Sequence, residues 1–323
     1  AGSSVDREWL LPDGLGGYCM GTTSGANTRR YHALLVSATT APTGRVLALA
    51  NTVDTIVAPD SGRTELSTFR FGDDVVHPDG LARLDSFERS DPTVAEAAEV
   101  RWQWAFGGAE ATKSVRPLWR RGGVRIEYRA TGLAPGSALD VRPLVALRDF
   151  HALLPRPAEF DTRVMRAKAS KGAPAQLAVA RDGFTLHLLR DAGEFVREPD
   201  WWTNFRYDRE RERRYDCDED LFTPGRLVVA ADERGEARLT LIGVVTALFD
   251  AWDERPAHLR RLAKHVGEGD RAIALLAQAA DDFVVPRTVD GRKLSTIIAG
   301  YPWFADWGRD AMISLPGILL TTG

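Results

Sequence analysis

From Glu8 to Thr246 apolar and polar residues alternate in short runs with a period of two, and Gly, Pro, Asp or Asn interrupts the runs. That pattern predicts an antiparallel β-sandwich, because successive side chains of a strand point to opposite faces. Val124-Arg-Ile-Glu-Tyr128 sets Val124, Ile126 and Tyr128 on one face and Arg125 and Glu127 on the other. Leu239, Leu241, Gly243 and Val245 repeat the spacing. Each sheet is therefore expected to bury one face and wet the other. Arg121-Gly-Gly123 and Arg181-Asp-Gly183 read as hairpin turns, since glycine tolerates the positive φ such turns need. The number of such runs predicts a large double sheet.

Around Asp253 the pattern changes to that of helices. Glu254-Arg-Pro256 has the form of a helix start, and Asp270 that of an N-cap. Beyond it Ala272, Leu276, Ala279 and Phe283 draw one apolar stripe, with Gln278 and Asp282 off it. From Pro286 a loop is expected. Ala311 to Leu320 is apolar on every side, which predicts a helix buried among others, kinked at Pro316 and stopped at Thr322-Gly323.

Charge narrows the function. The 323 residues carry a formal charge of -3, so no basic field draws a nucleic acid or an anionic membrane. Neither an apolar run of about 18 residues nor a leader is read at Ala1, and the cytoplasm is the expected compartment. Cys19 and Cys217 stand far apart without a CxxC spacing, so neither a disulfide framework nor a metal site is expected.

Four segments concentrate chemistry. Asp13-Gly-Leu-Gly-Gly-Tyr-Cys-Met-Gly21 lacks both the third glycine of a dinucleotide fingerprint and the ending of a P-loop, and reads as a tight turn beside an edge strand. Asn27-Thr-Arg-Arg-Tyr-His32 crowds polar groups against the apolar Ala33-Leu-Leu-Val36. It is either a surface ion-pair cluster, a contact between domains or a face for a hydroxyl-rich ligand. Trp201-Trp-Thr-Asn-Phe-Arg-Tyr207, with Glu210, Glu212, Asp216 and Asp218 after it, joins rings to carboxylates. Sugars suit such a segment, because a pyranose stacks its C–H face on a ring while carboxylates accept its hydroxyl protons; a self-packed ordered loop is the other reading. Finally Tyr301-Pro-Trp-Phe-Ala-Asp-Trp-Gly-Arg-Asp310 sets Tyr301, Trp303, Trp307 and the carboxylates Asp306 and Asp310 before the last helix. Arg309 beside Asp310 would fix a carboxylate able to grip two neighbouring hydroxyls.

Glu8-Trp-Leu, Gly14-Leu-Gly-Gly, Asn27-Thr-Arg-Arg-Tyr-His and Leu34-Leu-Val resemble the opening of the bacterial and archaeal glycogen-debranching family, whose glucosidase half is amylo-α-1,6-glucosidase. Arg148-Asp-Phe-His151, Glu219-Asp-Leu-Phe-Thr-Pro-Gly225, Ala279-Ala-Asp-Asp-Phe-Val-Val and Thr296 to Asp310 carry the resemblance on. It implies an N-terminal β-supersandwich over 1–253, a helical linker over 254–285, and from 286 the start of an (α/α)6 toroid. The 38 residues from Pro286 to Gly323 hold two helices at most, with helices of about 11–12 residues, so a fragment of a longer chain is expected.

The resemblance further implies an inverting glycoside hydrolase acting on α-1,6 branch stubs of glycogen with no organic cofactor, its two carboxylates beyond Gly323. Arg309 and Asp310 would hold hydroxyls of the terminal glucose, with Tyr301, Trp303, Asp306 and Trp307 lining or supporting the pocket. The alternative makes Asp310 the general acid. Other readings are a non-catalytic polysaccharide-binding module, or a trehalase- or glucoamylase-like toroid enzyme. The implied partners are an α-glucan oligosaccharide and the remainder of the toroid.

Overall fold

The computed structural model describes residues 6–90, 98–154, 158–165, 175–245, 260, 262 and 271–320. The helix start at Pro256 and the cap at Asp270 lie outside these residues. Strands fill most of the rest. They are β1 (Glu8–Pro12), β2 (Tyr18–Thr22), β3 (Ala33–Thr40), β4 (Thr43–Val57), β5 (Arg63–Glu65), β6 (Thr68–Arg70), β7 (Val76–Asp79), β8 (Leu84–Ser90), β9 (Glu99–Phe106) and β10 (Ala109–Leu118). There follow β11 (Gly123–Thr131), β12 (Ala138–Asp149), β13 (Asp161–Met165), β14 (Ala175–Arg181), β15 (Phe184–Arg190), β16 (Glu194–Arg206), β17 (Asp218–Ala230), β18 (Ala237–Val244), β19 (Val284–Val289) and β20 (Arg292–Ile297).

Two antiparallel eight-stranded sheets result. The first runs β1-β2-β3-β4-β12-β17-β16 with β5 beside β4, and the second runs β13-β14-β15-β18-β11-β10-β9-β8. Leu35, Leu49, Val145 and Phe222 of the first meet Val115, Ile126, Leu188 and Leu241 of the second in one core. As the alternation predicts, Val124, Ile126, Tyr128, Leu239 and Leu241 are all buried. Both glycine turns form. Gly122 joins β10 to β11 at φ 58°, and Asp182-Gly183 joins β14 to β15 at 50° and 81°.

The first sheet departs from the expectation of one wet face. Tyr18, Val36, Leu47, Leu144 and Phe150 form a second cluster on its outer side, joined there by Phe69, with Tyr301 packed against it. β3 and β4 accordingly bury almost every position, the near-continuous apolar run of a strand covered on both sides.

Three α-helices are described, α1 (Asp208–Glu212), α2 (Arg271–Asp281) and α3 (Gly308–Leu315), the last prolonged by one π-helical turn, Pro316–Leu320. The stripe expected on α2 is not its buried side. Ala277 and Gln278 are buried while Leu276 is 69% exposed, because α2 rests on the chain through the side that carries these two residues. The loop expected after Pro286 is the hairpin β19–β20, turned at Asp290-Gly291 with φ 50° and 75°. On α3, Met312 and Ile313 are exposed, so among the described residues the apolar helix is not enclosed.

Candidate functional site

The turn between β20 and α3 sits on the outer face of the first sheet, and Arg45 of β4 holds it there. The Arg45 guanidinium is 2% exposed and donates to the carbonyl oxygens of Pro302 at 2.8 Å and Phe304 at 3.0 Å. It lies between the rings of Phe150 at 5.3 Å and Tyr301 at 5.4 Å. Burial lowers its pKa, opposed by Tyr18, Tyr301 and Asp13. Tyr301 also meets Tyr18 edge-on at 6.1 Å and donates its hydroxyl to the carbonyl of Asp282 at 3.3 Å. Thus one arginine near the start of the chain seats a turn near residue 300.

The polar segment ahead of β3 divides into a buried half and a contact half. Asn27 donates to the carbonyls of His32 and Ala50 at 3.1 Å each and accepts from Asn51 at 3.1 Å. The Thr28 backbone N–H donates to His32 Nδ1 at 3.1 Å, so Nε2 carries the proton and donates to Glu8 at 3.0 Å. Burial lowers the His32 pKa against the pull of Glu8. Burial also pushes the Glu8 carboxyl up, but hydrogen bonds from His32 and Arg29 outweigh it and hold it at about 2. His32 is therefore a neutral donor that locks the segment.

Arg30 and Tyr31 face the other way, and Arg29 spans both sides, bonded to Glu8. Arg29 lies over the Trp303 ring at 5.5 Å, and Tyr31 meets the same ring edge-on at 6.4 Å. The Tyr31 hydroxyl is 3.1 Å from His151 Nδ1, and Arg30 donates to the carbonyls of His151 at 3.0 Å and Asp216 at 2.7 Å. Behind them Arg148 and Glu219 pair at 2.5 and 3.0 Å, both wholly buried, and Glu219 also accepts from Tyr207 and from the backbone of Leu154. Burial works against the charge on Arg148, yet Glu219 raises its pKa overall. Sequence reasoning singled out the motifs around Arg148 and Glu219 but not their pairing, and it passed over Arg45.

The turn's own residues part company. Asp306 accepts from Thr296 at 3.0 Å and from Arg287, with a side chain only 7% exposed. It therefore ties the turn to the hairpin. The Trp303 Nε1 is buried and finds no acceptor among the described residues. Trp307 is 55% exposed, and Arg309 reaches Asp310 at 3.2 Å at the exposed start of α3. A carboxylate in the first turn of a helix is favoured by the free backbone N–H groups there. Arg309 and Asp310 thus form a charged pair at the start of α3, close in sequence to the exposed Trp307, able to accept from and donate to adjacent sugar hydroxyls.

Trp202, from the ring-and-carboxylate segment, lies elsewhere on the first sheet, on β16. In that segment Phe205, Tyr207 and Glu210 are buried. Among the described residues no group of three or more His, Cys, Asp or Glu could hold a metal ion, and no helix is long and apolar enough to cross a membrane.

Among solved structures, a bacterial glucoamylase complexed with acarbose aligns over 87% of this chain at 8% identity and a TM-score of 0.44. A polysaccharide lyase aligns over 78% at 10% identity and 0.31. The chain spans 39% and 34% of their respective lengths. No curated protein matches. The amylo-alpha-1,6-glucosidase family profile matches residues 278–323, which include the turn seated by Arg45. Residues 7–237, which hold most of both sheets' shared core and the Glu8–His32 lock, match the profile described as glycogen debranching enzyme N terminal. With that profile covering most of its length, the chain belongs to the glycogen debranching enzyme family.

Proposed function

We propose that the chain is the N-terminal part of an enzyme that hydrolyses α-1,6-linked glucose from the branch stubs of glycogen and related α-glucans. The observation that carries this is the order of the two family matches, 7–237 and then 278–323, joined in space where Arg45 grips the turn that leads into α3. In this reading the divisions fall at 1–253, 254–285 and 286–323, the last being the first piece of an (α/α)6 toroid. Arg309 and Asp310 hold hydroxyls of the terminal glucose, and Trp307 and Trp303 flank it. Asp306 and Tyr301 support the turn from behind. An inverting reaction takes one carboxylic acid and one carboxylate across the scissile bond, and these come from sequence after Gly323. Cytoplasmic glycogen is the substrate.

Release of glucose from a branched limit dextrin tests the proposal. The 323-residue chain, its Asp310→Asn variant and a protein extended through the following sequence are compared. Activity only in the extended protein, weakened by Asp310→Asn there mainly through KM, agrees with the proposal. Turnover by the 323-residue chain that Asp310→Asn abolishes would make Asp310 the general acid. An extended protein with no glucose release from any α-glucan would overturn the proposal.

A further inference from the structure

Two tryptophans follow each other on β16, and a strand sends neighbours to opposite faces. Trp201 packs inward against Phe160 and Phe222 at 5.8 and 5.5 Å. Trp202 goes outward, where its ring lies 6.5 Å from that of Phe71 and tilts 31° to it. Beside these rings a cleft of about 520 Å³ opens on the first sheet, within the size range of small-molecule sites.

The polar walls of the cleft come from Arg63, Glu65, His77, Arg142, Asp200 and Thr203. Most of this charge is already paired. Arg63 donates to Glu65 at 3.1 Å and Arg142 to Glu198 at 3.1 Å, while Arg226 neutralises the buried Asp140 at 2.9 Å. A phosphate or carboxylate ligand finds no uncompensated cation here, and a cationic ligand finds few open carboxylates. Fixed donors and acceptors beside the Phe71 and Trp202 rings instead suit a neutral polyhydroxylated molecule, whose C–H face covers the rings while its hydroxyls bridge the ion pairs.

We propose that this cleft is an accessory saccharide-binding site that takes a segment of α-glucan. It shares no residue with the turn at 301–310, so it holds the polymer at a second place. The choice of an α-glucan rests on the proposed function; the saccharide chemistry rests on the cleft's own residues.

Affinity electrophoresis of the 323-residue chain in gels containing glycogen, a mixed-linkage β-glucan or no polysaccharide tests it. Glycogen is expected to retard the chain. Trp202→Ala and Asp200→Ala are each expected to weaken retardation about tenfold in apparent Kd, and Glu88→Ala, exposed on the second sheet, to leave it in place. Asp200 is exposed, so its variant keeps the test valid if Trp202→Ala misfolds. Retardation by the β-glucan alone, lost in the cleft variants, would keep the saccharide site and remove both the α-glucan assignment and the proposed substrate. Retardation untouched by either cleft variant, or none in any gel, would overturn the site.

Discussion

Arg45 donates to the carbonyl oxygen of Pro302, 257 positions further along the chain, at 2.8 Å. A buried guanidinium bound to two carbonyls contributes about 3 kcal/mol, since hydrogen bonds to charged groups are the stronger kind. Arg45→Ala should therefore release the turn without melting the sandwich. Hydrogen exchange at Ala299 and Phe304, whose N–H groups bond to Ala305 and Gly300, should quicken about a hundredfold. Exchange at Val124 and Ile126 should not change. Equal acceleration at both places would show that Arg45 supports the whole fold rather than the turn.

Glu219→Gln should cost about 3–5 kcal/mol in urea unfolding, because it leaves the fully buried Arg148 without its countercharge. Replacing both residues together by apolar ones of similar volume should cost less than the single change. A single-variant loss under about 1 kcal/mol would mean that water reaches Arg148.

Asp13 gives the fold a pH dependence of its own. Burial raises its pKa from 3.8 to about 6, although hydrogen bonds from Leu15 and Gly17 pull the other way. A carboxyl with a raised folded pKa favours the fold while protonated. Its contribution is whole below about pH 4 and is lost as pH climbs through 6. From pH 4 to 7 the native chain should lose about 2–3 kcal/mol relative to Asp13→Asn, whose amide does not ionise. Parallel stability curves for the two proteins would contradict this.

Gly14 and Gly25 both take positive φ, 76° and 82°. A methyl group on Gly14 would stand 2.6 Å from the Trp119 ring, whereas one on Gly25 meets nothing within 4 Å. Gly14→Ala should thus cost about 3 kcal/mol, and Gly25→Ala only the roughly 1 kcal/mol of the left-handed backbone. Thermal unfolding of the two variants separates the clash from the strain.

The double sheet was legible because strand alternation is local: Val124, Ile126 and Tyr128 announce their face within five residues. The outer burial of the first sheet was less so, since a run such as Val46-Leu-Ala-Leu-Ala50 does not by itself say what covers it. At Asp290-Gly291 the turn signal was present, but Pro286 and the charged Arg287, Arg292 and Lys293 obscured the two short strands around it. On α2 the periodic stripe was real, yet Leu276 faces away from the chain, because periodicity shows that a helix has an apolar side and not which neighbour takes it. Of the candidate site, the aromatic turn and the segment at Asn27 to His32 stood out by composition. A contact between domains was one of the readings open for Asn27 to His32, without naming the turn as its partner; Arg45 and the Arg148–Glu219 pair gave no signal, because ion pairs and buried contacts between distant strands leave no spacing to read.

The cover over the first sheet sets where this protein can be divided. Tyr18, Leu47 and Phe150 are at most 8% exposed, and Tyr301 packs against the cluster that holds them. A chain ended after β18 would keep both sheets and lose that cover, leaving Arg45 with no carbonyls to bind and an apolar wall open to water. Such exposed patches drive self-association. The turn at 301–306 thus belongs to the packing of the first sheet, and its removal is expected to open part of that apolar face to water.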